Sequence, residues 1–307
     1  MIALQVLTCI CVVVAFVAMA AKALRYMRAP AEHMRWELYP VPHEKGRAEH
    51  GGSYLEEVDW WTKPREKDVV NEMKEMAEEI ILLKGVYHHN RTVWSSSMPF
   101  HFGMYLCIGW IVFMLGGGIL EMFDIAIGAD AGVFGQIIHF ATLGMGYGGL
   151  VLSGLGALGL FIWRATNEEQ RDYNAPIDYF NLLFFVGVSV VALISHFTVD
   201  PDFSMMRGYV ANTVTFSEAT VSGGLFTAEI VMISLLIMWI PLTRMSHFVA
   251  KYFLYHDIRW NDEPNERGSK LEKSLMAHLS HKVGWSADHI ATGKTWGEVV
   301  TEGKDDK

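Results

Sequence analysis

Cysteine is scarce in this chain, and the three present, Cys9, Cys11 and Cys107, fall inside apolar runs without the clustered spacing of an iron–sulfur or zinc site. The chain therefore builds no metal cluster from its own thiols, and all three read as packing residues. Charge is sparse too: 19% of residues are charged against 51% apolar, and the formal balance is acidic at −9. The positive residues sit beside apolar blocks rather than on a basic face, which excludes nucleic acid as a partner. A third absence is at the N-terminus. No positive residue precedes the apolar run from Ile2 to Leu24, and no small-residue cleavage site ends it, so it reads as a transmembrane helix and not as a cleaved leader.

What is present is apolar sequence gathered in blocks, with positive mean hydropathy, 17 Met and 10 Trp. That pattern predicts an all-α fold: an integral membrane bundle of five transmembrane helices, N-out and C-in, with a long cytoplasmic connection between helices one and two. Four regions follow. Residues 1–24 are helix one, 25–97 the connection, 98–255 a four-helix membrane core and 256–307 a cytoplasmic tail. Lys22, Arg25 and Arg28 directly after helix one set the orientation by the positive-inside bias, and Arg164, Arg171, Arg244 and Lys251 agree with it. Within the connection, DVVNEMKEMAEEIILLKGV carries apolar residues at helical spacing and predicts an interfacial amphipathic helix over about 66–86. His88 and His89 read as loop residues.

Helix two is expected to open at Ser97-Met98-Pro99 and reach about Phe123, with His101 in its first turn and Glu121 at its far end. Helix three, 133–163, carries His139 near its outer end and a glycine stripe that lets backbones or a flat cofactor come close. Helix four, about 179–199, carries His196, and Asp200-Pro201-Asp202 stops it. The last helix is read as continuous from Phe226 to Tyr255. On that reading Glu229 and His247 share one face, five turns or roughly 27 Å apart. Ionisable groups in such helices are costly and by default face a bundle interior or cofactor. His101 and His247 fall at matched depth on the cytoplasmic side, which suits a bis-histidine b-type haem, and Arg244 lies one turn away to meet a propionate.

The segments PFHFG at Pro99 to Gly103, GYGGLVLSGLGALGLFIWR ending at Arg164, and IPLTRMSHFVAKY at Ile240 to Tyr252 carry a resemblance. In order and placement the chain resembles the gamma subunit of respiratory nitrate reductase and the membrane cytochrome b subunits of heterodisulfide-reductase-like complexes. The resemblance covers the five helices but not the long first connection. It implies that His101 and His247 hold the haem nearer the cytoplasm. It also implies an iron–sulfur subunit bound on the cytoplasmic side, of the heterodisulfide-reductase type. The two further histidines of the nitrate-reductase branch are absent, their places being taken by Ile111 and Glu229.

A second haem is therefore expected by another route. Helix rise puts the inner haem roughly 27 Å from Glu229, far for direct transfer from a quinol. His139 and His196 are placed to ligate an outer haem, and they could equally line a quinol pocket. Glu229 and Glu121 are the expected proton acceptors of quinol oxidation. The sequence thus reads as a cytochrome b subunit of the cytoplasmic (inner) membrane. It would carry two haems b and move electrons between menaquinone or menaquinol and the iron–sulfur partner, with a periplasmic multihaem cytochrome c as a further possible partner. The rival readings are a proton-relaying transporter and a structural anchor subunit without haem.

Overall fold

The structure is a computed structural model that describes residues 2–28, 68–255, 267–287 and 292–301. Among these residues every element is helical apart from one isolated antiparallel bridge between Lys282 and Thr295. The helices are α1 (Ile2–Met27), α2 (Val69–Ile81), α3 (Lys84–His89), α4 (Arg91–Met122), α5 (Val133–Thr166), α6 (Glu168–Tyr173), α7 (Pro176–Thr198), α8 (Ser204–Val214), α9 (Gly224–Leu242), α10 (His247–Tyr255), α11 (Lys270–Leu279) and α12 (Trp296–Thr301). Five of them, α1, α4, α5, α7 and α9, are long and apolar enough to cross a membrane. The shortest, α9, has 19 residues and spans about 29 Å, close to the hydrocarbon thickness of a bilayer. The chain is a multi-pass membrane protein by this measure. Its outward-facing apolar side chains agree: Phe16, Ile108, Val112, Leu155 and Ile162 are each more than half exposed and have lipid as their natural solvent.

The chain divides into two compact units, residues 1–20 with 76–246, and residues 21–75 with 247–307. In the first, α4, α5, α7 and α9 pack in chain order, each on its neighbour, and α8 lies on α4. The tightest pair is α4 with α5, and glycine is the reason. A Cβ on Gly103 would run into the Ser153 backbone, and one on Gly156 would run into the Phe100 backbone. The stripe expected to admit backbones or a cofactor serves backbone approach at these positions. Cys107 packs against Gly149 in the same contact, and all three cysteines are unbridged. Helix α1 is mostly exposed and is tied to the bundle by polar contacts. Gln5 Nε2 donates to the Ser217 carbonyl at 2.8 Å, and the Thr8 hydroxyl meets Tyr209 Oη at 2.8 Å and Ser234 Oγ at 2.9 Å. The start of α1 therefore lies at the same end of the bundle as α8.

Several boundaries differ from expectation. Helix α4 begins at Arg91 and is capped by Asn90, whose side chain accepts from the Val93 amide at 3.0 Å, so Ser97 is not the cap and Pro99 lies inside the helix. The expected interfacial helix is two helices, broken at Leu83, which takes a left-handed conformation (φ 52°), and His88 and His89 close the second of them. The segment after Asp200 folds as α8. The last expected helix ends at Leu242, one residue beyond Pro241. The chain then turns through extended Thr243 and a 3-10 turn at Arg244–Ser246 before α10 begins. Pro241 lies in the last turn of α9, where it removes the donor to the Ile237 carbonyl and weakens the helix just before its end. The five-turn register between Glu229 and His247 is thereby lost.

In the second unit, α11 is capped by Ser269, whose hydroxyl accepts from the Glu272 amide at 3.0 Å, while Glu272 accepts from the Gly268 amide at 2.6 Å. Helix α12 opens with the reciprocal box: the Thr295 amide donates to Glu298 at 2.7 Å and the Glu298 amide to Thr295 Oγ1 at 3.2 Å. Val283, fully buried, pairs its amide with the Lys294 carbonyl at 2.8 Å. The described part of the expected tail thus contains a small folded motif. Residues 29–67 of the long connection lie outside the described residues.

Candidate functional site

The centre of the bundle at the α8 end is built on His196, in the last turn of α7. Its side chain has no exposure to solvent, and neither has that of Glu229, which α9 presents from its second turn. His196 Nε2 and Glu229 Oε1 are 2.6 Å apart. The contact is bent away from the ring N–H axis, and Glu229 Oε2 has no hydrogen-bonding partner among the described residues. On the other side of the ring, Nδ1 lies 3.0 Å from the Asp200 carbonyl oxygen and 3.7 Å from Asp200 Oδ2.

Asp200 is the hub that holds this ring. Its carboxylate accepts from the Met205 and Met206 amides, both at 2.9 Å, and so caps α8, satisfying two donors that a helix start leaves unpaired. Its carbonyl accepts from the Phe203 amide at 3.2 Å as well as from His196. That turn forces Phe203 into the left-handed region (φ 58°), which a bulky residue adopts only when its surroundings compel it. The compensation is visible: the Phe203 ring is fully buried, with its centroid 4.0 Å from that of His196 and 5.4 Å from Trp110. Pro201 lends its carbonyl to the Tyr147 hydroxyl at 3.0 Å, tying α5 to the same turn. Asp202 is separately anchored. Burial opposes its ionisation, but the Ser204 hydroxyl at 2.7 Å and amide at 3.2 Å outweigh this and hold its carboxyl below the usual range.

The expected site residues separate into groups. Glu229 and His196 are brought together. Glu121 is not with them: it accepts from Arg207 Nη2 at 2.8 Å, and Arg207, on α8, is almost wholly buried. Glu121 serves there as the counter-charge of that buried guanidinium. His139 is buried on α5 beside Phe140, with Nδ1 unpartnered among the described residues, and makes no ring contact or hydrogen bond with His196 there. His196 has Nδ1 held by the Asp200 carbonyl and Nε2 facing the Glu229 carboxylate. Among the described residues no group of three His, Cys, Asp or Glu side chains is arranged to hold a metal ion.

At the other end of the bundle His101 is half-buried in α4. Its Nδ1 is 2.7 Å from the Ser97 carbonyl oxygen, one turn back. A carbonyl only accepts, so Nδ1 carries the proton and the neutral ring has its lone pair on Nε2. That is the arrangement in which a histidine ligates iron through Nε2 with its other nitrogen fixed by a backbone carbonyl, so His101 fits a haem ligand. Arg244, expected to meet a propionate, is largely exposed with Nη1 3.5 Å from Asp178 Oδ2. His247 is exposed and opens α10, in the unit described separately. Asp200, Phe203, Trp110 and Arg207 are the residues that sequence reasoning missed. One signal was available: His196 and Asp200 are four apart, the spacing that puts two side chains on one helix face.

No protein-family model matches the chain, and no curated protein or solved structure matches it either.

Proposed function

We propose that the chain is the haem-bearing, quinone-reactive membrane subunit of a respiratory complex, passing electrons between menaquinol and an iron–sulfur partner of the heterodisulfide-reductase type. The observation that carries the reading is the His101 ring, fixed through Nδ1 by the Ser97 carbonyl with its ligand atom on Nε2. The resemblance supplies its counterpart, His247. One haem b is proposed in place of the two expected, because His196 is committed to Glu229 and Asp200. When bound, the haem supplies one-electron redox chemistry. The chain's own part is to hold it and to handle the protons of the quinone couple at the far end of the bundle.

Charge supports the proposed orientation. Arg91, Arg164, Arg171 and Arg244 lie at the His101 end, whereas Glu121, Asp124, Asp130, Asp200 and Asp202 lie at the other, with Arg207 paired internally. By the positive-inside bias this favours the proposed topology, with the His101 end in the cytoplasm and the N-terminus outside an inner membrane. A second reading, a proton-relaying transporter, draws on the same buried Glu229–His196 pair. Visible spectroscopy of the purified chain separates the two: low-spin b-type bands are expected, and a colourless protein with full helical content would refute the haem reading.

A further inference from the structure

The Glu229–His196 contact places constraints on protons that hold whatever the electron carrier is. His196 Nδ1 faces the Asp200 carbonyl oxygen at 3.0 Å, an atom that only accepts, so Nδ1 carries a hydrogen. In the neutral ring Nε2 then bears a lone pair. It lies 2.6 Å from Glu229 Oε1, and two lone pairs do not approach so closely in a buried site. A proton held by the ring or by the carboxyl removes that repulsion within the bent contact. The pair together is then electrically neutral.

Asp200 adds one negative charge. Both of its carboxylate oxygens accept from amides at the start of α8, an eleven-residue helix. The buried cluster of Asp200, His196 and Glu229 therefore carries a net charge of about −1 with one proton and about zero with two, counting formal charges on an ionised Asp200 and a protonated imidazole. The other groups facing it do not neutralise that charge. Tyr147 on α5 spends its hydroxyl on Pro201, Trp110 on α4 does not titrate, and Arg207 on α8 is paired with Glu121. A buried net charge is costly unless a further proton or an opposite charge reaches it. Glu229 Oε2 is buried with no hydrogen-bond partner among the described residues and is an acceptor that can receive such a proton.

We propose that Glu229 and His196 form a buried proton-exchange site, which keeps one proton between Nε2 and Oε1 and binds and releases a second at Glu229 Oε2 against the fixed charge of Asp200. The step is a proton transfer alone: an O–H bond forms at Oε2 as the donor's bond to hydrogen breaks, and no electron moves within the cluster. The identity of the donor, a quinol hydroxyl, rests on the proposed function; the existence of the site does not.

The test is infrared difference spectroscopy of the purified chain in lipid vesicles, triggered first by pH jumps and then by a short-chain menaquinol analogue. In the wild type a protonated-carboxyl band is expected that rises as pH falls and shifts in heavy water. Glu229→Gln should remove it, and Glu229→Asp should restore it at a shifted frequency. With the analogue, the band should change during turnover, and Glu229→Gln should lower kcat by about 10²-fold with KM little changed. Absence of a titrating carboxyl band in the wild type would overturn the site whether or not any variant folds, and so would a band that persists unchanged in a folded Glu229→Gln. A pH-dependent band in a chain without haem or quinol turnover would keep the site and refute the electron-transfer reading. Turnover without the band would do the reverse.

Discussion

Replacing Asp200 by alanine is the perturbation whose size the structure defines best. The carboxylate makes two 2.9 Å bonds to the amides of Met205 and Met206 and lies in an enclosed site, while its carbonyl bonds belong to the backbone and survive the change. Loss of a helix cap costs about 0.5–2 kcal/mol, and leaving buried amides unpaired adds about 1–3 kcal/mol, so about 1.5–5 kcal/mol in total is expected. The start of α8 would fray, and Phe203, held in a strained conformation by the same turn, would lose its position on His196. Asp200→Asn keeps one acceptor oxygen and should cost about half as much. Denaturant unfolding in detergent, followed by circular dichroism, measures the stability, and tryptophan fluorescence reports Trp110 against Phe203. An Asp200→Ala protein within about 0.5 kcal/mol of the wild type would refute the assignment of Asp200 as the hub.

Other expectations follow from single contacts. Glu121→Gln leaves the buried Arg207 guanidinium without its counter-charge and should destabilise by about 1–3 kcal/mol, discounted because Glu121 is one-third exposed; Glu121→Gln with Arg207→Met should recover part of the loss in a double-mutant cycle. Gly156→Ala would press a methyl group into the Phe100 backbone and should cost about 1–3 kcal/mol by overpacking, measured by the same unfolding assay, whereas Gly144→Ala, with open space at that position, should be near neutral. The Asp202 carboxyl is held below its unfolded value of about 3.9. Its contribution is therefore present above pH about 4 and is lost as pH falls through the lowered value; unfolding measured from pH 6 to pH 3 should show an acid loss that shrinks in Asp202→Asn.

The five long helices were legible because a run of about twenty apolar residues has few alternatives once backbone groups must be satisfied without water. Their ends were harder. Ser97 and Pro99 have the chemistry of a helix start, yet Asn90, at the turn following α3, caps the helix about two turns upstream and leaves both inside it. Pro241 stands in plain view, but the apolar residues on either side of it carry the hydrophobic pattern across the break and so mask it. At the site, depth alone put Glu229, His196, Glu121 and His139 together. Depth does not specify azimuth: Glu121 turns toward Arg207, 86 residues away, and of the four only Glu229 and His196 meet among the described residues. Phe203 was not legible because its importance comes from a strained turn that no local pattern announces.

The central claim is that this chain binds a b-type haem through His101. A pyridine haemochrome assay on the purified chain, wild type beside His101→Ala, tests it directly. One haem b per chain is expected in the wild type and none in His101→Ala, with the helical circular dichroism of the two proteins alike. Haem retained at full stoichiometry in a folded His101→Ala, or absent from the wild type prepared with haem supplied, would contradict the account.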